Sequence, residues 1–230
     1  MGFGGIRVMP VSDAVFLSAS VPDEKRAPGF AKTADVVAIT SAVNAVMQVV
    51  LGRRRLVWGG HPAITPVVRL VAESMKVDYG KWVYLYQSTY FKDIFLEDNA
   101  HFQNVIFTDT VADNREASLA LMRETMFSST KFQAAVFVGG MQGIIDEFEL
   151  FVSFQPDALL VPIYSTGGAT LELKDRMKRE DPALSDDLDY IRLLHAQLGI
   201  SKQERRYANP AEQPVKLEDR YRVQKRKSKL

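Results

Sequence analysis

The sequence predicts an α/β protein with a doubly wound, mainly parallel sheet and helices on both faces. Short apolar runs that suit buried strands alternate with helical patterns over residues 14–200. Several of these runs end in glycine or in small hydroxyl residues, which is typical of the ligand-facing edge of such a sheet. A length of 230 residues with 47% apolar content is sufficient for one medium-sized core.

Three parts of the chain differ in composition. Residues 1–13 form a lead-in, and residues 14–200 form a single domain. Residues 201–230 are charged and contain few core residues, so we expect a flexible tail. Its basic end, residues 220–229, is either solvated or a weak contact for nucleic acid.

Composition excludes several classes of protein. A net charge of +1 argues against an electrostatic nucleic-acid binder, and the lack of cysteine excludes disulfides, thiolate catalysis and cysteine-bound zinc. His61, His101 and His195 are too scattered to indicate a metal site, so we expect no metal and no cofactor. No apolar run is long enough to span a bilayer and no signal peptide is visible. We therefore expect a cytoplasmic protein without membrane contact.

The first strand, residues 14–18, ends in a small polar exit at residues 18–20. Residues 23–33 follow as a charged loop that is either solvated or in contact with a phosphate. A long helix begins at an Asp35 N-cap, because apolar residues then recur at helical spacing. The arginines at 53–55 after it are interpreted as surface charges that compensate the helix dipole.

A second strand, residues 56–58, ends in two glycines and His61, before a helix that starts near Thr65. The histidine is either a neutral turn residue or a ligand or catalytic contact. Strands at residues 82–86 and 105–107 follow, separated by a polar and aromatic stretch that is a short helix or a lid.

Residues 114–127 form the next predicted helix, with Arg115 and Arg123 on roughly the same face. These arginines contact a phosphate, contact a partner subunit, or are simply exposed.

The central stretch is a strand at residues 134–138, a glycine-rich turn and a helix from residue 144. Glycines let backbone N–H groups approach a ligand, and a helix N-terminus carries partial positive charge. Asp146 and Glu147 favour the helix dipole, and one of them could face a ribose. The alternative is a tight turn without a ligand.

A last strand, residues 158–163, leads into a further glycine-bearing exit. The helix at residues 186–199 packs on the core or forms a dimer contact. Because parallel strands place their carboxyl ends at one edge, we expect the four small-residue exits to meet in one crevice that binds phosphate and ribose. The predicted ligand-binding residues are Ser18, Ala19, Ser20, Gly59, Gly60, His61, Thr65, Gly139, Gly140, Met141, Gly143, Glu147, Ser165, Thr166, Gly167 and Gly168.

Four segments resemble the SLOG superfamily, named for STING-like, Smf/DprA and Lonely-guy proteins. They read VFLSASVP, LVWGGHPAIT, VFVGGMQGIIDEFELF and STGGAT. The resemblance covers residues 14–180 and is nearer to the sensor and immune-associated groups than to the Lonely-guy phosphoribohydrolases. It implies a Rossmann-like fold and a nucleotide-derived ligand.

Lonely-guy enzymes carry a PGGxGTxxE signature, from which this chain departs. Val138 replaces the proline, one extra residue precedes Gly143, and Ile144 replaces the threonine. Glu147 lies near the position of the signature acid. A slip of one residue turns a helical side chain by about 100°, which would move this carboxylate out of the site.

The resemblance leaves alternative functions open. The first is a sensor that binds an ADP-ribose-like molecule or a cyclic nucleotide, assembles as a homo-oligomer, namely a dimer, and acts through an effector protein. The second is an N-glycosidase or phosphoribohydrolase with Glu147 and His61 as its catalytic residues. Under this hypothesis Glu147 or Asp146 stabilises the transition state, and His61 or Arg115 holds the phosphate. The third is a DNA-processing role like that of the Smf/DprA branch, although nucleic acid is not an expected partner.

Overall fold

The computed structural model describes residues 14–75, 77–95, 97–178 and 181–222. The predicted lead-in and the last part of the basic run lie outside these residues. The strands are β1 (Ala14–Ser20), β2 (Arg55–Trp58), β3 (Val83–Ser88), β4 (Asn104–Thr108), β5 (Phe132–Gly139) and β6 (Leu159–Ile163). The α-helices are α1 (Pro28–Ala31), α2 (Val36–Val50), α3 (Thr65–Ser74), α4 (Tyr79–Trp82), α5 (Arg115–Ser128), α6 (Gln142–Phe154), α7 (Ala183–Asp186) and α8 (Tyr190–Gln197).

The strands form one sheet in the order β4-β3-β2-β1-β5-β6, and every pairing is parallel. The direction in which strands are added reverses at β1, which confirms the predicted doubly wound α/β fold. All strand carboxyl ends therefore lie at one edge, and the switch point lies between β1 and β5. Ligands of open α/β sheets bind in the crevice at such a point.

Helices cover both faces of the sheet, so the central strand β1 is buried along its whole length. Phe16 of β1 packs against Phe127 of α5 and Phe151 of α6, with ring centroids 4.8 and 5.5 Å apart. Because side chains alternate along a strand, Ser18 and Ser20 share this side of the sheet. Helices α2, α3 and α8 pack together on the opposite side.

Both long helices that flank the site begin at side-chain caps, of which Asp35 is the predicted one. The Asp35 carboxylate accepts the Ala38 N–H at 2.9 Å, and the Asn114 side chain accepts the Ala117 N–H at 3.0 Å. Each bond satisfies one N–H in a first turn that has no intrahelical partner. The start points of α2 and α5 are thereby fixed relative to the strands before them.

The arginines after α2 and the end of the chain correct two sequence expectations. Arg53 and Arg54 are buried rather than exposed, and Arg54 forms a salt bridge of 2.6 Å with Glu204, whose exposed fraction is 1%. Residues 201–222 thus lie against the body of the protein instead of forming a flexible arm over that length. The charged composition of this segment indicated a tail because the partner of Glu204 lies 150 residues earlier.

Arg53 contributes to the same contact. Its guanidinium donates to the Glu204 carbonyl at 2.9 Å and to the Val49 carbonyl at 3.0 Å. Burial lowers the pKa of Arg53 to about 10, so the group remains protonated at neutral pH. The carbonyl oxygens at the end of α2, which carry the negative end of the helix dipole, favour this positive charge.

Replacement of Glu204 by Gln is expected to destabilise the fold by about 3–5 kcal/mol, because it leaves Arg54 buried without its counter-charge. Urea denaturation measures the loss. The exposed Glu212 on the same segment offers a matched control, and Glu212→Gln is expected to change stability by less than about 0.5 kcal/mol. Equal stability of the two variants would show that the segment does not depend on this salt bridge.

Candidate functional site

A crevice of about 1740 Å³ lies at the carboxyl edge of the sheet, above the switch point. The exits of β1, β2 and β5 line it, together with the first turns of α5 and α6. A smaller cavity of about 390 Å³ lies at the opposite edge, beside Phe132 and Gln155, and includes no predicted site residue. The large crevice is therefore the candidate site.

Most of the predicted ligand-binding residues line this crevice. They come from three separate strand exits and from the start of α6, as the parallel topology requires. The residues in the crevice wall are Ser18, Ala19, Ser20, Gly59, Gly60, His61, Thr65, Met141, Gly143, Glu147 and Gly168.

The remaining predicted residues hold the turns together. The Thr166 hydroxyl accepts the Gly139 N–H at 2.9 Å and donates to the Ile163 carbonyl at 2.6 Å. The Gly140 carbonyl accepts the Ala169 N–H at 2.9 Å. These groups do not line the crevice, so the expectation that they donate to a ligand has to be revised.

Ser165 and Gly167 belong to the same inner layer. The Ser165 hydroxyl lies 3.2 Å from the Tyr190 hydroxyl. Gly167 has a positive φ of 66°, and a Cβ there would lie 1.8 Å from the Thr33 carbonyl oxygen. Close contact between backbones explains this glycine, and ligand binding is not needed to explain it.

A polar cluster lies where β1 faces α6. The Ser18 hydroxyl donates to Glu147 Oε2 at 2.5 Å, and Arg123 Nε donates to Glu147 Oε1 at 3.3 Å. Arg123 also lies 3.5 Å from the Asp146 carboxylate. The Arg123 and Glu147 side chains are only 13% and 17% exposed, so solvent screens their attraction weakly.

Glu147 faces the crevice although the extra residue was expected to turn it away. The additional residue is accommodated before the helix, because Met141 is extended (φ −122°, ψ −165°) and α6 begins only at Gln142. The spacing within the helix from Gly143 to the carboxylate is therefore undisturbed. The geometric objection to a carboxylate in the site does not hold.

The first turn of α6 is open to an anion. Met141 precedes the helix and its side chain makes no capping hydrogen bond. The backbone N–H groups of this turn carry the positive end of the helix dipole, and Met141 and Gly143 form part of the crevice wall.

A family model described as the SLOG cluster3 family matches residues 29–198, which is most of the chain. The chain belongs to the SLOG cluster3 family. Membership indicates binding or processing of a nucleotide-related ligand. Searches of curated proteins and of solved structures gave no match.

His61 of this SLOG protein has a defined tautomer. Its Nδ1 accepts the Ala63 backbone N–H at 3.2 Å, so the proton of the neutral ring is on Nε2. Burial, and to a smaller degree the positive charge of Arg26, lower the pKa of His61. The ring is therefore a neutral donor at physiological pH. Thr65, in contrast, donates its hydroxyl to the His61 carbonyl at 3.0 Å.

The stretch predicted as a lid forms 3₁₀ turns at Thr89–Ile94 and Glu97–His101. Phe91, Ile94 and Phe95 line the crevice beside the β2 exit. Ile94 is 66% exposed. These side chains offer an apolar surface on which a base could stack.

Sequence reasoning offered Arg123 of this SLOG domain as a phosphate contact and missed its contact with Glu147. Its spacing from Arg115 indicated a shared helix face, but nothing local indicated that Glu147, 24 residues later, would be its partner. Arg115 also lines the crevice, at the first position of α5. Among the described residues, no helix is long and apolar enough to cross a membrane.

The His61 imidazole is expected to titrate below pH 6.5, and Arg26→Ala is expected to raise its pKa while leaving it below 6.5, because burial is the larger cause. NMR titration of the Cε1–H signal measures both. Since the unfolded state binds this proton more tightly, His61 reduces stability as the pH falls below about 6.5. A wild-type midpoint at or above 6.5, or the same shift in Lys25→Ala, would contradict the assignment.

Proposed function

We propose that the crevice binds a nucleotide-derived small molecule, such as an ADP-ribose-like compound or a cyclic nucleotide, and that the protein is a sensor module. The observation that carries the proposal is the uncapped start of α6 beside the Ser18–Glu147–Arg123 cluster, at the switch point of the sheet. This arrangement places an anion site next to a carboxylate that can accept a hydrogen bond from a ribose hydroxyl.

The phosphate subsite consists of the α6 N-terminus and Arg115. Arg115 occupies the first position of α5, where the helix dipole disfavours a cation. Among the described residues, no carboxylate forms an ion pair within 4 Å of its guanidinium. A bound phosphate would supply the missing negative charge.

The ribose subsite consists of Glu147 and Ser18. The carboxylate already accepts from Ser18 and from Arg123, which holds it in one orientation. A carboxylate has about four lone-pair sites, so Glu147 retains capacity for a ribose hydroxyl. The neighbouring apolar side chains at 91–95 then contact the base.

The sensor role requires that binding changes a contact with another molecule. The edge strand β4 carries Phe107, which is 55% exposed and contacts Phe95 with ring centroids 5.6 Å apart and the ring planes tilted by 34°. Phe95 also lines the crevice, so one aromatic pair joins the ligand site to the sheet edge. This edge is the proposed contact with a second copy of the chain or with an effector protein in the cytoplasm.

Nucleotide binding is expected to raise the melting temperature, since a ligand at a hundredfold excess over its Kd adds about 2.7 kcal/mol. A thermal-shift panel of AMP, ADP-ribose, cyclic ADP-ribose and a cyclic dinucleotide tests this. Arg115→Ala is expected to weaken binding about tenfold or more, because it removes a charge-assisted contact to phosphate. Lys131→Ala, at the opposite edge, is the matched control. No shift with any member of the panel would count against the proposal.

Cleavage of a nucleotide is the second candidate, favoured by the position of Glu147 inside the crevice beside Arg123. In such a reaction, water attacks C1′, the N-glycosidic bond breaks, and the base leaves with a proton. Glu147 would stabilise the oxocarbenium-like transition state, while Arg115 or His61 holds the phosphate.

Release of free adenine from AMP distinguishes the enzyme from the sensor, and chromatography measures this release. If the protein is a hydrolase, Glu147→Gln is expected to lower kcat by at least about a hundredfold, because it removes the charge that stabilises the cation. The exposed neighbour Asp146→Asn should have a much smaller effect. Tight AMP binding without base release would exclude the hydrolase and leave the sensor as the remaining candidate.

A further inference from the structure

The crevice extends to the other side of the sheet edge, away from Glu147. Leu17 and Trp58 are paired in register between β1 and β2, so their side chains point to the same side. That side is opposite to Ser18 and is covered by α2 and α3. Trp58, Arg26 and His61 line the crevice there, and together they define what we call the α3-side lobe.

The α3-side lobe contains a cation without a counter-charge. Arg26 lies on the exposed loop after β1, and among the described residues no carboxylate lies within ion-pair distance of its guanidinium. The nearby Asp23 carboxylate is occupied as a turn cap and accepts the backbone N–H groups of residues 25 and 26, each at 2.9 Å. Arg26 is close enough to His61 for its charge to lower the pKa of the imidazole.

His61 is held in place to donate from Nε2. Gln87 donates to the Gly59 carbonyl at 2.7 Å and so fixes the turn, and the Ala63 N–H holds Nδ1. Gly60 has a φ of 74°, and a Cβ there would lie 2.5 Å from Gln87 Nε2. Only glycine allows the turn that presents the ring.

We propose that Arg26 and His61 Nε2 form a second anion subsite, and that the ligand therefore carries two separated phosphoryl groups. The inference rests on the proposed function, since the first group lies at the α6 N-terminus. The volume of the crevice supports a ligand with two phosphoryl groups. It is about 1740 Å³, which exceeds the roughly 300–1,000 Å³ typical of a pocket for one small ligand. A mononucleotide occupies only the α6 side.

Calorimetry with AMP and adenosine 3′,5′-bisphosphate, which differ by one phosphate, tests the subsite. The wild type is expected to bind the bisphosphate at least about tenfold more tightly than AMP. Arg26→Ala should reduce this ratio to near one, and Lys25→Ala should preserve it. A ratio that survives in Arg26→Ala, or equal losses for both ligands, overturns the proposal.

Two substitutions at His61 separate the roles of its nitrogens. An asparagine at this position can still accept the Ala63 N–H through its side-chain oxygen but offers no donor where Nε2 lies, whereas a glutamine places its amide near that point. His61→Asn should therefore lose the preference for the bisphosphate and His61→Gln should largely keep it. The same loss in both variants would indicate a purely structural role and overturn the assignment of Nε2.

Inorganic pyrophosphate separates failure of this inference from failure of the proposed function. At constant ionic strength, pyrophosphate should shift the His61 Cε1–H signal in the wild type and not in Arg26→Ala. If that shift occurs and no nucleotide binds, the anion subsite stands and the nucleotide function fails. If nucleotides bind and the His61 signal does not respond, the function stands and the second subsite is overturned.

Discussion

The hydrogen bond from the Gly139 N–H to the Thr166 hydroxyl determines how the rest of the site is arranged. It ties the turn after β5 to the turn after β6, and the Gly140 carbonyl adds a second link to Ala169. Both turns are then fixed at one end of the sheet, and α6 leaves β5 in a defined direction. The polar face of that helix consequently meets β1, where Ser18 contacts Glu147.

The two sides of the crevice have different chemical characters. The α6 side combines a helix N-terminus with an acidic side chain, which suits a phosphate next to a ribose. The α3 side has Arg26 and a neutral His61 donor over an apolar strand surface. A ligand that reached only one side would leave the polar groups of the other side in contact with water. Membership of the SLOG cluster3 family agrees with a nucleotide-related ligand but does not specify its length.

Local patterns were sufficient to predict the fold and the edge at which the site lies. The apolar runs predicted the strands, and the small residues after positions 17, 58 and 138 predicted where the strands end. Strands and strand ends could be predicted because both depend on near neighbours in sequence. The pattern could not assign hydrogen-bonding partners. Gly139 has the same sequence signature whether its N–H faces a ligand or Thr166, and the threonine lies 27 residues later. The carboxylate partners of Arg123 and Arg54 could not be assigned for the same reason, since they are 24 and 150 residues distant.

The docking of residues 201–222 has a consequence for the order in which the protein matures on the ribosome. The sheet and its crevice are encoded before residue 200, but the carboxylate that neutralises Arg54 arrives only with Glu204. Until then, the nascent domain lacks the carboxylate that forms the buried salt bridge with Arg54 at the end of α2. A recombinant fragment cut at residue 200 would keep every group in the crevice wall and lack this salt bridge.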